Sequence, residues 1–167
     1  WSKTYAMTGW RMGSGVWPKD LIAPATRLSI NCHSCVNASA QYAGIAALEY
    51  MRDNQEALYP HLNEQGDRLA REVNQFCEEH QIPAQLMNAG SMFHFQFQRG
   101  AVERARDING EHRDAENDFY LHVLGRDVIV PPLHLFFISE AHSAADVDTI
   151  IDAFKDSLLD VRADGLL

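Results

Sequence analysis

The stretch Ser2-Lys3-Thr4-Tyr5-Ala6-Met7-Thr8-Gly9-Trp10-Arg11-Met12 is the most informative segment of this chain of 167 residues. It places Lys3 next to a hydroxyl side chain and puts Arg11 on the other side of a Thr8-Gly9 turn. Lysine amines condense with carbonyl groups to form Schiff bases, and an arginine guanidinium matches a phosphate group with two parallel hydrogen bonds. A site with both side chains suits a phosphorylated aldehyde that is held at its two ends.

Continued to Gly13, this string resembles the lysine segment of class I and II aminotransferases of the aspartate aminotransferase kind, which use pyridoxal 5'-phosphate (PLP). The resemblance implies PLP as the cofactor and Lys3 as the residue that binds it covalently and then acts as the catalytic base. It also implies Arg11 as the phosphate-binding arginine and Ser2 as a further phosphate contact. Without the resemblance, Lys3 would be a surface lysine and Arg11 a salt-bridged residue of a strand.

Composition indicates a folded protein and argues against several classes of partner. The chain is 46% hydrophobic and carries a net charge of −9 with no basic block, which argues against nucleic acid or an anionic membrane as the main partner. The longest apolar run, Val128 to Ile138, is interrupted by Pro131-Pro132 and His134, so it does not suit a membrane span. No secretory signal peptide is recognisable, and three cysteines suit a reducing compartment. We therefore expect a cytoplasmic protein.

The hydrophobic periodicity predicts an order of elements. Residues 11–17 read as a short buried strand, 20–28 as a short helix and 32–37 as a polar loop. A long connecting helix is expected from Ala38 to the region before Pro83, broken or bent near Pro60. Beyond it, we expect strands at 93–97, 128–130 and 135–138, a helix at 114–124 and a final helix capped by Ser143 and Asp146.

The rest of the chain resembles class III aminotransferases, especially glutamate-1-semialdehyde aminomutase and its relatives. Leu62 to Phe97 carries this resemblance, with Glu79-His80-Gln81-Ile82-Pro83 and Gly90-Ser91-Met92-Phe93 inside it. Val128 to Pro132 and Ile138 to Ser143 show the same likeness. Both classes share the fold and the cofactor, so the choice between them bears on the substrate.

The resemblance implies an α/β fold, the C-terminal part of a fold-type I PLP-dependent transferase. It comprises the edge of the large-domain sheet, a long connecting helix and a small α+β domain. We expect residues 1–37 to end the large PLP-binding domain, 38–82 to form the connecting segment and 83–167 to form the small domain. Because the chain begins with Trp1 rather than methionine, we expect a fragment of the full enzyme. The resemblance implies that the complete enzyme is a homodimer.

The expected activity is PLP-dependent transamination between an amine or amino acid and a keto or aldehyde acceptor. The alternatives are a glutamate-1-semialdehyde type of aminomutase, in which the amine returns to the same skeleton, and a catalytically inactive remnant. Class I enzymes carry an arginine in the late strand that binds the substrate α-carboxylate, whereas this strand reads His134-Leu135-Phe136-Phe137-Ile138-Ser139. This departure favours a substrate whose amine is not next to a carboxylate, or a carboxylate bound from elsewhere.

A second motif, Cys32-His33-Ser34-Cys35, has the C-x-x-C spacing of zinc and redox sites. No second ligand pair follows at zinc-finger spacing, so incidental cysteines in a loop are the simplest interpretation and no metal is expected. The resemblance offers another role, in which His33, Ser34 and Asn37 line the cofactor site of a neighbouring subunit.

Overall fold

The structure is a computed structural model that describes Tyr5 and residues 7–108, 110–132 and 134–167. The chain divides into two compact units, residues 1–55 and 56–167. Two helices come first, α1 (Lys19–His33) and α2 (Ala38–Glu79), and strands β1 (Gln85–Ala89) and β2 (Met92–Gln96) follow them. Helix α3 (Arg113–Leu124), strand β3 (Phe136–Phe137) and helix α4 (Ala144–Ala163) complete the chain order. The division between the units falls inside α2. No described helix combines the length and the apolar character that crossing a bilayer requires.

The first unit contains a 3-10 turn (Thr8–Trp10), α1 and the beginning of α2. The predicted helix at 20–28 is confirmed but runs further in both directions, so the polar loop is confined to residues 34–37. Pro18 precedes α1 with φ −54° and ψ 146°, an extended conformation that lets the helix start directly after it. Pro24 lies inside α1, where its missing N–H leaves the carbonyl of Asp20 without the usual helical partner.

The strand predicted at 11–17 is wrong. Residues 12–18 have no regular secondary structure, and Val16 and Trp17 are exposed. A strand requires a neighbouring strand for its backbone N–H and C=O groups, and every described strand of this chain lies in the second unit. An apolar run without such a neighbour stays extended and solvated.

Of the two predicted effects of Pro60, a break or a bend, the break is wrong, because helix α2 continues through this residue. A proline removes one hydrogen bond and disfavours the helical conformation of the preceding residue. In a helix of 42 residues, the remaining backbone hydrogen bonds and the buried side chains of the later turns outweigh that loss. The apolar side chains of the earlier turns, Tyr42, Ile45 and Leu48, are exposed to solvent within the first unit.

The second unit is built on an antiparallel sheet in the order β1-β2-β3. β1 and β2 form a hairpin in which Leu86 pairs with Phe95, and β2 pairs with β3 through Phe93 and Phe136. The predicted strand at 93–97 is confirmed as β2, whereas β1 was not predicted. Residues 128–130 do not form the predicted strand, because the N–H of Val128 bonds to the carbonyl of Val123 at the end of α3 rather than to a strand.

Aromatic side chains fill the core between the sheet and helices α3 and α4. Phe95 stacks on Phe119 of α3 with ring centroids 4.5 Å apart, and it meets Phe154 of α4 edge-on at 5.8 Å. Both distances lie in the range where aromatic pairs attract one another beyond their buried area. The phenylalanines of β2 are therefore core residues, and they fix the sheet against the two helices.

Asn74 of α2 closes the open edge of β1. Its Nδ2 donates to the carbonyl of Leu86 at 2.9 Å, and its Oδ1 accepts from the N–H of Leu86 at 2.7 Å. The side-chain amide thus replaces the two hydrogen bonds that a further strand would make at this residue.

A capping box fixes the start of helix α4. Ser143 and Asp146 form the predicted box, in which each side chain bonds to the backbone N–H of the other residue.

Gly66 of α2 lies against the hairpin turn, where a Cβ atom added to Gly66 would come within 2.1 Å of the carbonyl oxygen of Gly90. The turn can approach α2 this closely only because residue 66 has no side chain.

Glu116 of α3 is a buried carboxyl group in this core. It is 2% exposed, and its Oε1 has no hydrogen-bond partner. Burial raises the pKa of Glu116, because it disfavours the charged form, while the charges of Arg113 and His94 oppose the shift. The folded protein therefore binds a proton at Glu116 more tightly than the unfolded chain does.

Replacing Glu116 with glutamine is expected to stabilise the protein at neutral pH by about 1 kcal/mol, because the buried charge is removed. A raised native pKa makes ionised Glu116 destabilising above that pKa, and the penalty fades as the pH falls towards the ordinary value of 4.5. Urea unfolding from neutral to acidic pH measures the effect. Glu64→Gln, at an exposed position of α2, is the matched control. A gain for Glu116→Gln that does not shrink on acidification would contradict this account.

Candidate functional site

Arg11 directly follows the 3-10 turn that the Thr8-Gly9 pair predicts. The N–H of Trp10 bonds to the carbonyl of Met7 at 3.2 Å, and Met7 is buried. Arg11 then adopts a left-handed backbone conformation with φ 53° and ψ 46°. A non-glycine residue in this region is uncommon, and such residues are frequent at ligand sites.

The guanidinium of Arg11 is exposed and available to an anion. Nη1 donates to the carbonyl of Thr8 at 3.4 Å, a long hydrogen bond that leaves Nη2 and Nε without a protein acceptor among the described residues. No carboxylate of the residues that the structure describes forms an ion pair with Arg11. A planar fork with free donors fits a phosphate group.

Lys3 and Ser2, the other two residues predicted to hold the cofactor, lie outside the described residues. The structure therefore places Arg11, and the assignments of Lys3 and Ser2 stay predictions. Tyr5 is the only described residue between Lys3 and Met7.

The loop after α1 contains a second unusual backbone conformation. Ser34 has φ 64° and ψ −88°, and its N–H bonds to the carbonyl of Ile30, which ends the helix. Asn37 accepts a hydrogen bond from the N–H of Ala40 at 3.3 Å and so caps the start of α2. Cys32 and Cys35 are exposed free thiols.

A cluster of ionisable side chains joins the ends of α3 and α4, and the sequence analysis did not single it out. His122 Nε2 lies 2.9 Å from Asp164 Oδ2 and 3.3 Å from Asp118 Oδ2. His122 Nδ1 lies 3.5 Å from Asp160 Oδ2, which Arg126 Nη2 approaches to 2.5 Å. We call these five residues the His122 cluster.

The environment of the His122 cluster favours the charged form of the imidazole. The hydrogen bond with Asp164 and the charges of Asp118 and Asp160 raise the pKa of His122. The i,i+4 spacing of Asp118 and His122 on one helix was the one signal in the sequence that pointed to this cluster. The contributions of Asp160 and Asp164 depend on how α4 packs on α3, which the spacing alone does not reveal.

Comparison with known proteins connects nearly the whole chain to one family. The family model described as "Aminotransferase class I and II" matches residues 1–153. A glutamate-1-semialdehyde 2,1-aminomutase from Methylacidiphilum infernorum is 29% identical over 124 residues, which are 73% of this chain and 28% of that protein. The predicted membership of the fold-type I PLP-dependent aminotransferases is confirmed.

Solved transaminases share the fold. An omega-transaminase from Sphaerobacter thermophilus superimposes with a TM-score of 0.59 at 24% identity, covering 71% of this chain and 27% of that chain. A transaminase solved with PLP bound gives a TM-score of 0.63 at 18% identity, covering 78% of this chain and 29% of that chain. The predicted α/β fold, a portion of the PLP-dependent transferase fold, is confirmed. The chain spans less than a third of the length of each of these proteins.

Proposed function

Because the chain belongs to the class I and II aminotransferase family, we propose that it serves PLP-dependent transamination between an amino donor and a keto or aldehyde acceptor. The observation that carries the proposal is the family match, which extends across the Lys3 and Arg11 segment. Arg11 belongs to the part of that segment that the structure describes. Its guanidinium is exposed and has no carboxylate partner among the described residues.

PLP, when bound, supplies an electron sink that stabilises negative charge on the substrate carbon from which a proton is removed. Lys3 would bind the cofactor's aldehyde carbon through its ε-amine. When it is not bound to the cofactor, the same amine would accept the proton from the substrate carbon and later donate a proton on the cofactor side.

Arg11 and Ser2 would hold the phosphate group. Two parallel hydrogen bonds from a guanidinium fix both the position and the direction of a phosphate. Arg11 and Ser2 would thereby hold the cofactor in one position while Lys3 moves the proton, which is the contribution that positioning makes to the rate.

A second candidate function is an aminomutase reaction, in which the amine returns to the same carbon skeleton. The relative from Methylacidiphilum infernorum favours it, since it is named a glutamate-1-semialdehyde 2,1-aminomutase. The late strand points the same way, because β3 and its flanking residues 134–139 contain no arginine for an α-carboxylate. Release of a keto product in the presence of an amino donor separates transamination from this reaction. A catalytically inactive remnant would show neither activity.

We further propose a cytoplasmic homodimer as the complete enzyme, with residues 1–37, 38–82 and 83–167 as the end of the large domain, the connecting segment and the small domain. The exposed apolar residues Tyr42, Ile45 and Leu48 in the first unit support an interface there. The odd number of cysteines, three, supports a reducing compartment.

Substitution of Arg11 by alanine is expected to weaken PLP binding about tenfold or more, because hydrogen bonds to a charged phosphate are lost. Pyridoxal, which has no phosphate, should bind the wild-type chain and Arg11→Ala equally. Absorbance titrations of both chains with PLP and with pyridoxal measure the two preferences.

Arg27→Ala is the matched control, since Arg27 is an exposed arginine of α1 in the same unit. It should keep the wild-type preference for PLP over pyridoxal. If Arg11→Ala also keeps that preference, Arg11 does not bind the phosphate, and the proposed site is wrong at this residue.

A further inference from the structure

We propose that Asp118, His122 and Asp164 form a binding site for a divalent transition-metal ion, with Zn²⁺ as the best fit. The three side chains each offer one ligand atom, and these atoms all lie within 4.8 Å of one another. The site lies in the second unit, away from the Lys3 and Arg11 segment in the sequence, and nothing in the transamination proposal uses it.

The geometry at His122 Nε2 leaves one carboxylate oxygen without a hydrogen bond. Asp164 Oδ2 and Asp118 Oδ2 both face this nitrogen, at 2.9 Å and 3.3 Å, but the ring nitrogen carries one proton at most. Asp118 Oδ2 is inaccessible to solvent and accepts no hydrogen bond, although the Asp118 side chain as a whole is 27% exposed. Leaving a buried carboxylate oxygen unsatisfied is costly, and a cation between the three ligand atoms would satisfy all of them.

The other side of the imidazole has the partners that metal-binding histidines commonly have. A histidine that binds a metal through one nitrogen usually directs the other towards a carboxylate, which fixes the ring. Here His122 Nδ1 faces Asp160 Oδ2 at 3.5 Å, and Arg126 Nη2 holds that same oxygen at 2.5 Å. Nε2 is thus the nitrogen directed at the two remaining carboxylates.

The charges of the His122 cluster balance when a divalent cation is present. With a neutral imidazole, three aspartates and Arg126 leave an excess of two negative charges. The helix ends add to this potential, because His122 is in the last turn of α3 and Asp164 caps the C-terminus of α4. Helix C-termini carry partial negative charge and favour cations.

The donor set selects the kind of ion. Imidazole nitrogen suits zinc and other late first-row metals, whereas Mg²⁺ and Ca²⁺ prefer ligand sets made only of oxygen. Three protein ligands leave one position of a tetrahedral zinc site for water.

Equilibrium dialysis of Zn²⁺ with the full chain tests the proposal. The parent for this experiment carries Cys32→Ser and Cys35→Ser, which removes the exposed thiols as competing zinc ligands. We expect one Zn²⁺ per chain at about pH 8, where the imidazole gives up its proton more readily. Zn²⁺ should also raise the thermal midpoint, since an ion that binds only the folded state stabilises it.

Asp164→Asn and His122→Gln should each lower the affinity for Zn²⁺ at least tenfold and abolish the thermal shift. Asp156→Asn removes the same charge from an exposed position of α4 outside the cluster, and it should leave both measurements unchanged. Circular dichroism confirms that each variant is folded, and the exposed position of Asp164 makes that variant the safer of the two.

Two results would overturn the proposal. One is the absence of stoichiometric Zn²⁺ on the parent, and the other is an unchanged affinity in Asp164→Asn, which would place bound zinc at other ligands. Equal binding of Mg²⁺ would reject the assignment to a transition metal.

Discussion

Replacing Lys3 by alanine is expected to abolish the covalent adduct that borohydride reduction of a PLP-treated chain leaves on a lysine. Among the side chains of the segment from Ser2 to Met12, Lys3 alone carries a primary amine, the group that condenses with an aldehyde. Arg11 would bring the aldehyde to it by holding the phosphate end. The loss in Lys3→Ala should therefore be complete rather than partial.

The chain is well suited to locating the adduct, because its lysines are Lys3, Lys19 and Lys155. Lys155 Nζ lies 3.3 Å from Glu72 Oε2 in the second unit, and an ion-paired ammonium is a poor nucleophile. Lys19 is exposed at the start of α1 and has ordinary access to solvent. Proteolysis followed by mass spectrometry of the reduced protein identifies which of the three is modified.

Lys19→Ala is the matched control and should keep the adduct and its visible absorbance. A modified peptide that contains Lys19 or Lys155, with none that contains Lys3, would show that PLP reacts with surface amines and would reject Lys3 as the catalytic lysine. In the complete enzyme, unchanged turnover of Lys3→Ala would have the same meaning.

Gly66→Ala is expected to destabilise the second unit by about 2 kcal/mol, even though alanine favours helix over glycine by about 1 kcal/mol. The new Cβ would lie 2.1 Å from the carbonyl oxygen and 2.9 Å from the carbonyl carbon of Gly90. Both are backbone atoms of the turn that joins β1 to β2, so no side-chain rotation relieves the overlap. Relief requires moving the hairpin, and Phe93 of that hairpin is fully buried in the core.

Thermal or urea unfolding followed by circular dichroism measures this loss. Gly125→Ala provides the control, because its Cβ would lie 3.4 Å from the nearest atom and its backbone is already helical, with φ −62°. We expect its stability to stay within about 0.5 kcal/mol of wild type. A Gly66→Ala protein as stable as Gly125→Ala would mean that the hairpin can move away from α2 at no cost.

Local signals in the sequence predicted the helices well. Ser143 and Asp146 predict the start of α4 because a capping box satisfies its own hydrogen bonds within four residues. The alternation of Phe93 and Phe95 predicted β2 for a similar reason, since one buried face suffices to define a strand.

Features that depend on distant partners were not predictable in this way. Residues 11–17 have the composition of a strand, but a strand also needs a neighbour, which a local pattern cannot supply. β1 was missed because one of its stabilising partners is Asn74, a polar side chain on a preceding helix. The His122 cluster was missed because two of its carboxylates come from α4, about forty residues further along the chain.

The candidate site residues were predicted from the resemblance to a family, and the local pattern of the sequence alone would not have identified them. The segment from Ser2 to Gly13 indicated the family because a whole string matched, whereas a single lysine or arginine would have indicated nothing. The comparisons confirm the family, and the geometry adds the exposed fork of Arg11. The roles of Lys3 and Ser2 stay predictions.

The amide of Asn74 also bears on the solubility of this chain. An uncovered strand edge is a template on which other chains pair, and such pairing leads to aggregation. In β1, that edge is occupied at Leu86 by a helix that precedes the strand in the sequence, so the partner is already synthesised when β1 emerges from the ribosome. At Leu86, the partner that covers the edge is therefore available as soon as the strand is made.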